Sequence, residues 1–196
     1  MKVGFFGGSF DPPALSHMII ATQAVDQLDL DLLFLMPTGE SVSATDKTTV
    51  ASAEERYDMA IIAAEECGGA VYVSGIESKK KGPTRTIDTI RELYERSKEE
   101  ESMYADPTEV WFLFGADSWN DLPNWEEPEE IMERVRIAVI PRAGVDLRLG
   151  YDRLLDIPAM GLSSTWIRKL IKEGRSTQWV LSESIQRYIK ATGLYT

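Results

Sequence analysis

The stretch GGSFDPPALSHM, residues 7–18, decides how this chain folds. It follows the apolar run KVGFF (2–6), and a helical pattern follows it, beginning near residue 16. An apolar run ending in two glycines, then a Pro-containing corner, then a helix, reads as a strand turning sharply into a helix. Such a corner presents free N–H groups at the helix start, where an anion is favoured. Its spacing is neither GxGxxG nor GxxxxGK[ST], so the dinucleotide and Walker fingerprints do not apply. His17, the single histidine of the chain, falls in the first turn or two of that helix. An imidazole there can donate to a phosphate oxygen, or serve only as a cap.

Outward from this corner the same grammar repeats. LLFLM (32–36), AVYVS (70–74), VWFLF (110–114) and IAVIP (137–141) read as buried strands. Helical patterns fall between them at about 16–28, 52–67, 84–100 and 127–134. Alternation of this kind predicts an α/β fold: a doubly wound, Rossmann-like parallel sheet of about five strands with helices on both faces. A C-terminal helical segment completes it. Ser52 with Glu55 forms a capping box. Ser163 or Ser164 opens STWIRKLIKEG, which Gly174 closes, and Gly193 stops SESIQRYIKATG. Residues 1–196 read as a single domain, a length that supports a sizeable core.

The net charge of −11 argues against a nucleic-acid-coating protein but not against a local anion pocket. One cysteine, Cys67, allows no intrachain disulfide. With no secretory pattern and no apolar stretch near the ~18 residues a membrane span needs, the expectation is a cytoplasmic protein without membrane contact. Cys67 reads as a small packed residue. The loop-like segment 37–51 is long enough to suggest a job, and the lysines of GIESKKKGP (75–83) read as a solvated turn.

Two further constellations sit far from the first corner. In GLSSTWIRKLIKEG, Ser163, Ser164 and Thr165 open a helix and Arg168 follows, which suits a polyphosphate or merely a capped helix. In FLFGADSWNDLPNW, a strand ends at Gly115, placing Asp117 where a carboxylate can accept from ribose hydroxyls. Trp119 and Trp125 could stack on a flat ring or seal the core.

Taken together and in order, these pieces resemble the nicotinate mononucleotide adenylyltransferase family of HxGH nucleotidyltransferases. GGSFDPP, GPTRTIDTIREL, GADSW with LPNW, IAVIPRAG, SSTWIR and VLSESIQRYIKATGLY carry the similarity across almost the whole chain. The resemblance implies adenylyl transfer from ATP to the 5′-phosphate of nicotinate mononucleotide, a step of NAD biosynthesis that releases pyrophosphate. It implies Gly8, Ser9 and Phe10 lining the reacting phosphates, His17 donating to them, and Lys47 reaching in from its loop. Ser163, Ser164, Thr165 and Arg168 would hold the triphosphate, and Gly115 and Asp117 the adenosine. Arg85, Thr86, Trp119 and Trp125 would border the pyridine. Magnesium would travel on the ATP phosphates, with no metal site in the protein. Homo-oligomerisation stays open.

The chain departs from the motif: HxGH stands here as Ala14-Leu15-Ser16-His17. Loss of one preorganised donor typically costs ~10²–10³ in rate, so reduced turnover is expected, with restoration of a histidine at position 14 expected to raise it. Ala14 also fits a substitution made to trap substrate, activity on another phosphate acceptor, or a catalytically silent nucleotide-binding protein. Arg85 stands where the family often has tyrosine, and could bind a carboxylate or pair with a neighbouring acid.

Overall fold

The first strand sets the layering by parity. In a computed structural model describing residues 1–41, 49–80, 82–99 and 101–196, β1 spans Lys2–Gly8. Successive side chains of a strand point to opposite faces. Val3 and Phe5 therefore enter one apolar cluster and Phe6 enters another. Helices must cover both faces, and the chain alternates accordingly: α1 Leu15–Leu28, β2 Leu32–Pro37, β3 Glu40–Ser41, α2 Ala53–Cys67, β4 Val71–Val73, β5 Pro83–Thr84 and α3 Thr86–Arg96. Then come β6 Glu109–Gly115, α4 Ala116–Asp121, a short 3-10 turn Leu122–Asn124, α5 Pro128–Arg134, β7 Arg136–Ile140, β8 Arg153–Leu154, α6 Ser164–Lys172 and α7 Glu183–Thr192.

The main sheet runs β4-β2-β1-β6-β7-β8, all parallel. Counting its strands in chain order gives 3-2-1-4-5-6, the doubly wound order in which ligands lie beyond the strand ends where the winding reverses. Here the reversal lies between β1 and β6. Phe6 pairs with Leu113, so Gly8 and Gly115 each lie two residues further along the same edge.

The sheet has six strands rather than about five. The sixth, β8, is two exposed residues long, and tertiary pairing creates it. Leu155 N–H donates to Val139 O at 3.0 Å, and the Asp152 carboxylate accepts Ile137 N–H and Arg136, each at 2.8 Å. A second sheet pairs β3 with β5, tying the residues just after β2 to the entrance of α3. Helix α3 stops at Arg96, short of residue 100: Ser97 Oγ caps the Tyr94 carbonyl at 2.9 Å, and the Ser97 carbonyl accepts Asp106 N–H. The other helix signals fall where the sequence places them. Ser52 and Glu55 exchange both capping bonds, Ser163 and Ser182 cap α6 and α7, and Gly174 and Gly193 adopt positive φ just past them.

One cluster packs α3, α4 and α5 against Phe5, Phe34, Phe112 and Phe114; the other packs α1 and α2 against Phe6, Leu33 and Leu35. A third, beyond the sheet, joins α2, α6 and α7 through Met59, Ile167, Ile185 and Ile189. No helix among the described residues is long and apolar enough to cross a membrane.

Phe5 is the centre of the first cluster, stacking on Phe34 at 5.5 Å and Phe112 at 6.2 Å and meeting Tyr104 edge-on. Phe5→Ala is expected to cost about 3–5 kcal/mol, as buried Phe truncations do, read as a lowered denaturant midpoint with an unchanged slope.

Candidate active site

Two helix starts, α1 and α6, meet at the corner after β1. Asp11, at that corner, is 0% exposed. A buried carboxylate must be paired or it destabilises the fold, and Asp11 is paired from every side. Its Oδ2 accepts Val50 N–H at 2.7 Å and lies 3.2 Å from Arg168 Nη1. Its Oδ1 accepts Ala51 N–H at 3.1 Å and the Tyr195 hydroxyl at 2.8 Å. Arg168 Nη1 also donates to the Asp11 main-chain carbonyl at 2.7 Å. Ser164 Oγ donates to Pro12 O at 2.9 Å, and Ser16 Oγ to Leu162 O at 3.5 Å. These bonds dock the N-terminus of α6 on the corner beside α1.

His17 is the third residue of α1, and its Nδ1 accepts the Ala14 N–H at 2.8 Å. That is the place a Glu takes in a capping box. With Nδ1 accepting, the neutral ring carries its hydrogen on Nε2, which makes that atom a donor. Phe10 packs edge-on against the ring at 5.2 Å and fixes its tilt.

Phe10 itself is fully buried at φ 47°, so its phenyl ring lines no phosphate; only its main chain can. The ring covers Gly8 instead, where a Cβ would come within 3.2 Å of it. Ser9 offers a carbonyl already taken by Arg56 Nη1 at 3.0 Å. Ser163 Oγ accepts Trp166 N–H as the α6 cap and keeps its own hydrogen to donate, whereas Ser164 donates its hydrogen to Pro12 O. Thr165 is exposed. The Ser164 and Thr165 N–H groups belong to the first turn of α6, whose amides lack intrahelical partners. Arg168, 16% exposed, commits one nitrogen to Asp11 and stands beside that turn.

Across the edge, Asp117 is exposed at the start of α4 and forms an ion pair with Arg142 from the loop after β7. Gly115 precedes it at an ordinary φ of −63°, with nothing within 4 Å of where a Cβ would stand. The glycine is not needed by the backbone; it keeps space open at the strand end.

Of the two tryptophans, Trp119 is core. It is wholly buried, donates Nε1–H to Arg148 O at 3.0 Å and carries the Arg148 guanidinium on its face, so it presents no ring to a pyridine. Trp125 is half-buried against Phe114 and donates to Asp121 at 3.0 Å. Arg85 stands at the N-cap position of α3, just before Thr86, without a side-chain capping bond, and it pairs with Glu126 at 3.6 Å; both side chains are half-exposed, so the pair contributes little and parts easily. It thereby joins the segment of Thr86 to that of Trp125. Lys47 lies outside the described residues. Cys67 is no nucleophile: burial, with Glu66 nearby, pushes its thiol up to about 11.

Four residues of this network carried no role in the sequence reading: Asp11, Arg56, Arg142 and Tyr195. Arg56 left a signal. It occupies the apolar stripe of α2 with Met59, Ala60, Ala63 and Ala64, where a charge needs a reason. At 2% exposure it bonds Ser9 O and, at 3.5 Å, Thr38 Oγ1, bracing the corner from below. Burial pushes its guanidinium below the ordinary value, while the Asp11 charge opposes that. Tyr195 and Arg142 left none, because their partners are distant in sequence.

Ala14 is 0% exposed and belongs to the third cluster with Ala51, Met59, Ile167 and Leu181. The expectation that a histidine would simply restore a donor there meets this packing, since its ring must displace apolar neighbours.

The cytidylyltransferase-like family matches residues 5–170 of the chain. A Thermus thermophilus protein named "Probable nicotinate-nucleotide adenylyltransferase" is 35% identical over 198 residues, covering 100% of both chains. An Enterococcus faecalis protein of the same name is 33% identical over 195 residues, covering 99% of this chain and 84% of its own. Among solved structures, Plasmodium falciparum nicotinic acid mononucleotide adenylyltransferase complexed with NaAD superposes with a TM-score of 0.76 at 17% identity. It covers 99% of this chain and 97% of its own.

Two substitutions test this geometry. Gly115→Ala is expected to leave the melting temperature within about 2 °C, as for a change without a destabilising mechanism, while weakening nucleotide binding measured by titration. Ala14→His is expected to destabilise by roughly 1–3 kcal/mol through overpacking, read by denaturant unfolding.

Proposed function

The chain belongs to the cytidylyltransferase-like family and, by its identity to the curated relatives, to the nicotinate-nucleotide adenylyltransferases, and we propose that its site joins ATP to nicotinate mononucleotide. An oxygen of the mononucleotide 5′-phosphate forms a bond to the α-phosphorus of ATP. The bond from that phosphorus to the bridging oxygen breaks, and pyrophosphate leaves with the negative charge. No protein nucleophile enters this exchange, so the protein's contribution is positioning and charge stabilisation.

The observation that carries the reading is the docking of α6 on the β1–α1 corner. Ser164 holds Pro12 and Arg168 holds Asp11, which brings a helix start and a guanidinium to the same edge as His17. In the proposed role, the α6 amides and Arg168 hold the β- and γ-phosphates, and the fixed Nε2–H of His17 donates where charge develops. Asp117 receives the ribose hydroxyls as Arg142 gives way. Thr86, Arg85 and Trp125 border the pyridine, and Lys47 approaches the phosphates from its loop. In this reading magnesium is held by the nucleotide's own phosphates. When present, the ion neutralises triphosphate charge. The turnover proposed is reduced, because the donor lost at Ala14 has no counterpart at that position.

The test is pyrophosphate release with ATP and magnesium, with and without nicotinate mononucleotide. Release only with both substrates is the expected result; release that ignores the mononucleotide, or none with ATP bound, overturns the reading. Arg168→Lys keeps a cation against Asp11 but loses the planar fork, and is expected to raise the ATP dissociation constant roughly tenfold, the scale of one charge-assisted hydrogen bond. Truncation to alanine would instead leave a buried carboxylate short of a partner and cost about 3–5 kcal/mol of stability.

A further inference from the structure

The segment after α7 returns to the corner, where Tyr195 both joins the third apolar cluster and reaches Asp11. Tyr195 is 8% exposed and held at φ 65°, a backbone region that a non-glycine residue adopts only when its surroundings enforce it. Its ring packs in the third apolar cluster, and its hydroxyl donates to Asp11 Oδ1 at 2.8 Å. With Ala51 N–H on the same oxygen and Val50 N–H on the other, the carboxylate is pinned at both ends. Arg168 Nη1 is then caught between Asp11 O and Asp11 Oδ2, at 2.7 and 3.2 Å. A planar guanidinium held at one corner by two oxygens of a residue that cannot rotate has its orientation set.

We propose that Tyr195 is a positioning residue for the triphosphate: through Asp11 it fixes the direction in which Arg168 presents its remaining N–H groups to the ligand. This rests on the reading of Arg168 as a triphosphate ligand. Burial, then the neighbouring Asp11, holds the Tyr195 hydroxyl far above its ordinary value, so it remains a donor at any working pH. Without the hydroxyl, Oδ1 retains Ala51 N–H alone. The carboxylate can then turn toward Arg168 and draw the guanidinium inward, away from phosphate. The residues proposed to border the acceptor, Arg85, Thr86 and Trp125, make no bond to Asp11 or Arg168 in this network.

The experiment uses the full chain and four variants: Tyr195→Phe, Arg168→Lys, the double variant, and Leu194→Ala. Leu194 packs against the same apolar cluster and its side chain supplies no bond to Asp11, and so reports the loss of packing in this segment. ATP dissociation constants, KM for ATP and for nicotinate mononucleotide, and melting temperatures are measured for each. Tyr195→Phe is expected to weaken ATP binding roughly fivefold, within the coupling range of one hydrogen-bonded network, with KM for the mononucleotide unchanged. Leu194→Ala lowers the melting temperature without moving the ATP constant. In the Arg168→Lys background, Tyr195→Phe adds nothing further. Equal ATP losses in Tyr195→Phe and Leu194→Ala, or full additivity with Arg168→Lys, overturn the proposal. If the unaltered chain binds ATP and Tyr195→Phe matches it, the positioning role alone falls. If the unaltered chain binds no ATP, the reading of the site falls first and this role with it.

Discussion

The carboxylate of Asp11 is the interaction on which the site depends. A charge with no solvent contact is tolerated only where donors surround it, and these donors come from three separate parts of the chain: the residues just before α2, α6, and the segment after α7. Satisfying one buried anion therefore fastens the N-terminus of α6 to the start of α1. Arg56 braces the same corner from α2 through the Ser9 carbonyl. The two helix starts thus share a polar centre beside the apolar cluster that joins Ala14 to Ile167, which suits a site that must keep its amides in fixed directions.

The site accords with the charge of the protein. At −11 the surface as a whole repels anions, yet the proposed phosphate region is built from helix amides, one arginine and one imidazole. Partial charges at helix starts act within a turn or so, so they create a local positive field on a protein of negative net charge. Two of the hydroxyls expected to touch phosphate also take part in local bonds. Ser163 caps α6 and Ser164 fastens it to Pro12. Their contribution is to hold the amides in place.

Ala14 has a structural meaning beyond a missing donor. Its main-chain N–H sets the His17 tautomer, a task that needs no side chain at position 14. Its methyl group fills the apolar cluster under α6 and α7, and Ser16, where the motif has glycine, bonds the segment leading into α6. The corner has settled around these residues as they stand.

Local signals along the chain were enough for the alternating plan of strands and helices, the helix starts at Ser52 and Ser163, and the stops at Gly174 and Gly193, because periodicity, caps and turn residues act over a few positions. They also located His17, Asp117 and Arg168 at the ends of elements, where topology requires a ligand edge. They could not settle whether Trp119 was core or platform, since an indole looks the same in both roles; the enclosure by Arg148 and Tyr151 decided it. Strand β8 and the small β3–β5 sheet arose from pairing across the fold, with too few residues to leave a pattern. Folding alone brought Asp11 to Tyr195, 184 positions apart. Local sequence encodes conformation, whereas the solvation of a buried charge is met by whichever donors the folded chain brings to it.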